Sequence, residues 1–214
     1  MPIREKIMNL KTIGQLAGAV LLTATLAGCI DVTMDVEVLN DTTGKATTTM
    51  VMGADFYAMA KAGMNTPPAE GQAAPAQEGF CEEEGAVLTE NADGSATCVI
   101  VAEGKFEEIM KSEGEENPAR FEVVSPGVVK VSFPTKDMMG EMGAEQADEQ
   151  TKAMMAALFA DKNITIRVRG KQITETNMPP SADKTSAEIV IPFLDLVNGT
   201  ATLPEELTAT VNTN

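Results

Sequence analysis

Arg167, Arg169 and Lys171 recur at every second position in a chain that carries 32 acidic and only 16 basic side chains. On a strand, residues two apart share a face at roughly 7 Å spacing. Guanidinium forks match phosphate oxygens, so such a row could grip a lipid headgroup, a phosphate or an acidic partner. The simpler account is a solvated strand face paired with neighbouring carboxylates, and it is preferred because surface rows of this kind are common and weak. Fourteen methionines, among them Met138, Met139, Met142, Met154 and Met155, raise the question of Cu(I), which soft thioethers bind. Met1 and Met8 precede the body of the chain, and Met154 and Met155 fit the apolar face of a helix. Core, or an adaptable lining for an acyl chain or a peptide, is the better use of them. The acidic runs at 82–84 and 113–116 lack the spacing of a tight Ca²⁺ loop and read as solvated turns.

Absences narrow the field further. The chain has no His, which removes every Ser-His-Asp or Cys-His nucleophile and every His-ligated zinc or copper site. It has no Trp and a single Tyr, a poor set for stacking sugars in a glycosidase cleft. A net charge of -16 opposes binding to a phosphate backbone, so nucleic acid is excluded as a partner. No catalytic residue, metal site or cofactor is assigned, and an enzyme is not expected.

The three cysteines are informative through what surrounds them. Arg4, Lys6 and Lys11 form a basic start, and residues 13–27 follow as an apolar run without a charge, which is the pattern of a secretory signal peptide. The run is shorter than the ~20 residues of a bilayer span. It ends in Leu26-Ala27-Gly28-Cys29, which is similar to the lipobox of bacterial lipoproteins. That resemblance implies cleavage before Cys29, a diacylglyceryl thioether on its sulfur, and a mature chain of residues 29–214 held at a membrane surface. At about 0.8 kcal/mol per buried methylene, two or more acyl chains anchor stably where one is marginal. Ile30 rather than aspartate at the next position favours the outer membrane if the source is Gram-negative.

With Cys29 lipidated, Cys81 and Cys98 remain as a pair, and an oxidising envelope lets them bridge. A redox-active role lacks both the Cys-x-x-Cys spacing and a basic neighbour. Loss of residues 1–28 removes three of the 16 basic and one of the 32 acidic side chains, so the mature body has 13 against 31 and a net charge of -18.

The elements that must position these residues can be read from periodicity. Ile30, Val32, Met34, Val36 and Val38 alternate with polar residues as a half-buried strand that starts one residue after Cys29. A polar turn at 40–45 leads to an antiparallel partner bearing Thr48, Met50 and Met52. Asp55 is placed to cap a short helix with Phe56, Met59 and Ala60 on one face and Gly63 at its end. Residues 65–79 read as a flexible loop. A hairpin turns at 91–94 between the two cysteines' segments. Phe106, Ile109 and Met110 mark a brief helix. Phe121 to Val124, then Ser125-Pro126-Gly127, then Val129, Val131 and Phe133 make a second hairpin. The clearest helix covers about 144–161, with Ala147, Thr151, Met154, Met155, Leu158 and Phe159 on its apolar side. Ile164, Ile166 and Val168 alternate in a strand that continues weakly to Ile173, and further strands are expected around 189–191 and 207–211. The fold class is α+β: an antiparallel β-sheet with a few packed helices and one main amphipathic helix, in a single domain.

This layout resembles the LppM-like group of bacterial lipoproteins, on the stretches 29–53, 164–177 and 187–196. The resemblance implies an α+β lipoprotein domain that binds lipids or lipidated glycans in the cell envelope. Residues 65–79 read as an insertion relative to that group, and the C-terminal membrane helix frequent in it has no counterpart in the sequence. The function expected is a non-catalytic, membrane-anchored envelope lipoprotein that encloses an apolar ligand between its sheet and its Met-bearing helix, with Arg167, Arg169 and Lys171 near the headgroup. The alternative is an envelope protein-protein interaction module with no pocket.

Overall fold

The computed structural model describes residues 30–64, 80–83, 85–112, 119–135, 156 and 159–214. In chain order the described elements are β1 (Ile30–Val38), β2 (Thr43–Met52), α1 (Ala54–Met64), β3 (Val87–Glu90), β4 (Ala96–Lys105), α2 (Phe106–Ser112), β5 (Arg120–Ser125), β6 (Val128–Pro134), β7 (Asn163–Arg169), β8 (Gln172–Thr176), β9 (Ser186–Pro192), α3 (Phe193–Val197) and β10 (Glu206–Asn212). Strands dominate, and the three helices are short. Of the helix expected at 144–161, only Ala156 and the segment from Phe159 onward are described, so most of it, with Met154 and Met155, lies outside the described residues. The same holds for Cys29, for the loop at 65–79 and for Met138, Met139 and Met142.

The strands form two sheets, one in the order β3-β4-β2-β1-β7-β9 and the other β5-β6-β10-β8. Every adjacent pair is antiparallel except β1 with β7, which run parallel from Val32 opposite Ile164 to Glu37 opposite Arg169. The expectation of an antiparallel sheet is therefore corrected at this pair. Strand alternation reports which faces are buried and is the same in either direction, so periodicity could not distinguish them.

Alternation does explain the core. Val36 and Val38 of β1 and Ile164, Ile166 and Val168 of β7 face inward from the larger sheet. Val129, Val131 and Phe133 of β6, with Leu207, Ala209 and Val211 of β10, face them from the smaller one. Phe159, the last residue of the expected helix face, is buried there and stacks on Phe193 of α3 with ring centroids 4.4 Å apart. Phe106 of α2 stacks in the same way on Phe121 of β5.

Three local expectations change. The weak continuation of β7 to Ile173 is in fact a corner: the strand stops at Arg169, bends at Gly170 and Lys171, and resumes as β8 in the other sheet. Glycine is required at the bend, because a Cβ on Gly170 would collide with the Val211 side chain and lie 3.4 Å from the Val38 carbonyl oxygen. In α1 the Tyr57 amide donates to the Gly53 carbonyl at 2.9 Å, so the helix starts ahead of Asp55, which sits in the first turn where its charge suits the helix dipole. Among the described side chains of α1, Tyr57 is buried against Met52 and Ala96 with the expected Phe56 and Ala60 packed beside it, while Met59 is 63% exposed. Residues 193–197, which the sequence reading left unassigned beyond Pro192, form α3.

The hairpin at 91–94 is present, with Gly94 at φ +86° where a side chain would be strained and its amide donating to the Asn91 carbonyl. Cys81 and Cys98 are bonded, and Cys98 is fully buried in β4. The bridge closes a loop with a sequence separation of 17. Chain-entropy arguments value such a closure at roughly 3 kcal/mol. The double substitution Cys81→Ala/Cys98→Ala is expected to lower Tm by about 6–12 °C for a body of this size, read by calorimetry of the oxidised protein beside the variant.

Candidate functional site

The outward face of the six-stranded sheet carries the polar half of each alternation, and it collects Arg167 and Arg169, two of the three cations singled out in the sequence. Asp35 and Glu37 of β1 lie directly across from Arg167 and Arg169 of β7, and Glu188 of β9 lies across from Arg167 on the other side. Arg167 donates through Nη1 to Asp35 at 3.2 Å and through Nε to Glu188 at 2.5 Å, with Nη2 also on Glu188. Arg169 donates through Nε to Asp35 at 2.7 Å and through Nη2 to Glu37 at 3.4 Å. Asp35 is the hub: its side chain is only 12% exposed and each of its oxygens serves a different guanidinium. One strand further, Lys45 of β2 faces Glu37 and pairs with Glu103 of β4 at 3.9 Å.

Two arginines against three carboxylates leave this cluster slightly acidic. The hydrogen bond that Arg167 donates to Glu188, with the charges of Glu188 and Asp35 outweighing burial, holds the guanidinium above its ordinary range, so it stays protonated at any working pH. Lys171 stands apart. It sits in the exposed bend after β7, off the strand, with no ion-pair partner among the described residues. The three basic residues therefore do not form one continuous row, and the two that share a face are engaged by neighbouring carboxylates.

A second polar cluster forms at the opposite end of β1. Asp31 accepts from Lys162 Nζ at 2.9 Å and from the backbone amide of Asn163 at 3.0 Å, tying the start of β7 to the start of β1. Nearby, Glu90 accepts from the Tyr57 hydroxyl at 2.8 Å and from Lys61 Nζ at 3.1 Å. The hydrogen bond from Tyr57 foremost, with Lys61 second, lowers the Glu90 carboxyl below its ordinary value, and the same contact raises the Tyr57 phenol.

Between the two sheets the packing is close. One solvent-facing depression, lined by Met34, Val36, Ala46, Ile109, Phe121 and Phe133, has room for about one water. Among the described residues no group of His, Cys, Asp or Glu is arranged to hold a metal ion, and no helix is long and apolar enough to cross a membrane.

No protein-family model matches the chain, and no curated protein resembles it in sequence. Among solved structures, the folded domain of LppM from Mycobacterium tuberculosis, determined by NMR, is similar at 9% sequence identity with a TM-score of 0.42, over 87% of this chain and 91% of that one.

The preferred account of the arginines, pairing with neighbouring carboxylates, holds for Arg167 and Arg169; which carboxylates they meet is what the sequence left open. Asp35 and Glu37 were visible as the outward half of β1, but only the register of β1 against β7 reveals which cation each one meets. Removing the hub carboxylate leaves two half-buried guanidiniums short of a partner, so Asp35→Asn is expected to cost about 1–3 kcal/mol. A double-mutant cycle with Arg169→Gln in urea should return a coupling well above the few tenths of a kcal/mol typical of an exposed pair.

The pH dependence follows from carboxylates held low. Glu90 is one; the Ser95 hydroxyl and amide lower Asp93, and the Ser181 hydroxyl with Thr185 lowers Asp183. A depressed folded-state value contributes stability above the unfolded carboxylate value of about 4 and loses it as pH falls through the folded one. With no His to titrate, Tm should stay level from about pH 5 to 8 and decline below about pH 4, a profile that thermal melts across pH can check.

Proposed function

We propose that this chain is a non-catalytic cell-envelope lipoprotein, anchored through acyl chains on Cys29, whose body serves as a protein-interaction module at the membrane surface. The carrying observation is the join between anchor and fold: Ile30, next to the cysteine of the lipobox-like tetrapeptide, is already paired with Met52, and its strand is interior to the six-stranded sheet. A tether of no length holds a body, not a loose reporter, against the bilayer. In a Gram-negative source, Ile30 at the second position directs it to the outer membrane.

The interaction reading is preferred to lipid binding for two reasons. The depression lined by Ile109, Phe121 and Phe133 has room for only about one water, whereas ligand pockets run to roughly 300–1,000 Å³. The arginines expected to meet a headgroup are neutralised within the sheet. The acidic excess of the body instead offers electrostatic recognition to a basic surface on a partner. An enclosed acyl chain held with Met154 and Met155 remains the competing reading.

Metabolic labelling with a palmitate analogue is expected to mark the wild-type chain and leave Cys29→Ala unmarked and released from the membrane fraction. Photo-cross-linking in cells should then give one stoichiometric protein adduct. Labelling that persists in Cys29→Ala would remove the anchor. Diffuse adducts, with lipid retained by the purified protein in native mass spectrometry, would replace the interaction reading with lipid binding.

A further inference from the structure

The register of the larger sheet sorts the surface of the molecule into two ends. Ile30 pairs with Met52, Met52 with Ala96, and Ala96 with Glu90, so these four residues lie on one line across β1, β2, β4 and β3. Because β7 is parallel to β1, its start at Asn163 falls at the same end, tied to Asp31, and Asn163 pairs with Pro192 at the close of β9. The Ile30 end therefore gathers α1, the turn at 91–95 and the start of α3. The far end holds the turn at 40–42, the bend at Gly170 and Lys171, and the turn at 181–185 that precedes Ser186 opposite Arg169. The nine residues of β1 separate the two ends by roughly 27 Å at about 3.3 Å per residue.

We infer that the body stands end-on, with the end formed by α1, the 91–95 turn and the start of α3 resting on the lipid headgroups, and with Lys171 and the 181–185 turn on the side that faces away. This inference rests on the acylation of Cys29 proposed above. One peptide unit spans about 3.8 Å between Cα atoms, so a lipidated Cys29 cannot let the Ile30 end move away from the bilayer. Lying flat on the outward face of the larger sheet would press Asp35, Glu37, Glu103 and Glu188 toward the lipid and strip water from their network, a costly arrangement for partly buried charges. The Ile30 end carries carboxylates of its own, Asp31, Asp55, Glu90 and Asp93, of which Asp31 and Glu90 are paired with Lys162 and Lys61. Met59 on α1 is the most exposed of the large apolar side chains among the described residues, and Lys61 lies two residues on, within reach of Glu90 at the same end.

The posture also decides which surface a partner meets. The Arg169 end of β7 and Lys171 point into the aqueous space, so a headgroup role for that stretch would require the molecule to turn over.

The test uses the full lipidated chain in phosphatidylcholine vesicles that contain a headgroup-spin-labelled lipid. With Cys81 and Cys98 bonded and Cys29 acylated, a single added thiol takes a fluorophore at Ala92→Cys, at Met59→Cys or at Lys171→Cys. Fluorescence is expected to be quenched several-fold at Ala92 and Met59 and to change little at Lys171. Equal quenching at all three sites, or stronger quenching at Lys171, would overturn the end-on posture while leaving the anchor intact. Chain that fails to associate with vesicles, and shows no acyl mass on residue 29, would overturn the anchor itself and the posture with it.

Discussion

The parallel pairing of β1 with β7 is the constraint from which most of the architecture follows. It joins residues more than a hundred positions apart, and it is secured on both faces at once. Inside, Val36 and Val168 pair in the core; outside, Asp35 and Glu37 face Arg167 and Arg169. A one-residue slip would bring Ile166 and Val168 to the surface and push two guanidiniums into a dry interior, so burial and charge enforce the same register. Parallel neighbours cannot be joined by a tight turn. The intervening chain instead builds β2, β4 and β3 on one side of β1 and the β5–β6 half of the second sheet.

The charge distribution then follows a simple division. The chain has twice as many acidic as basic side chains, and within the described sheets cations are placed where carboxylates would otherwise crowd: Arg167 and Arg169 amid Asp35, Glu37 and Glu188, Lys45 beside Glu103, Lys162 on Asp31, Arg120 on Glu206. Exposed pairs contribute little individually. The Asp35 hub differs because its side chain is mostly withdrawn from water and two partners share it. A basic row in an acidic protein invited a ligand-binding interpretation. The neighbouring strands give it a structural role by surrounding it with countercharge.

How much of this was legible in the sequence depended on the range of the interaction involved. Strands β1, β2, β6, β7, β9 and β10 were readable because period-2 alternation is written into each strand's own residues, and both hairpins announced themselves through Asn-Ala-Asp-Gly and Ser-Pro-Gly turns. The bonded pair Cys81 and Cys98 was readable by elimination once Cys29 had a separate role. What was not readable required a second segment. The break at Gly170 is set by Val211 and Val38, residues from two other strands. The burial of Tyr57 in place of Met59 is set by Met52, Ala96 and the reach of a hydroxyl to Glu90. The countercharges of Arg167 and Arg169 could be named only after the strand direction was known. Cys29, Met154 and Met155 lie outside the described residues, so the candidate site is legible there in sequence alone.

A strand that follows an anchor without a spacer alters what the anchor does mechanically. In a protein tethered by a flexible linker, the r.m.s. reach grows as about 5–6 Å times the square root of the linker length, and domain orientation is lost within a few residues. Here the first residue after Cys29 is paired into an interior strand, so with Cys29 acylated as proposed, force or restraint applied at the lipid would pass directly into the β1–β2 and β1–β7 ladders. The Asp31 contacts to Lys162 and to the Asn163 amide lie at that junction and bind the start of β7 to the start of β1. The strand nearest the anchor is thereby fixed by both neighbours before it has advanced two residues into the fold. Under the proposed acylation of Cys29, the central sheet rather than a loop would bear the connection to the membrane.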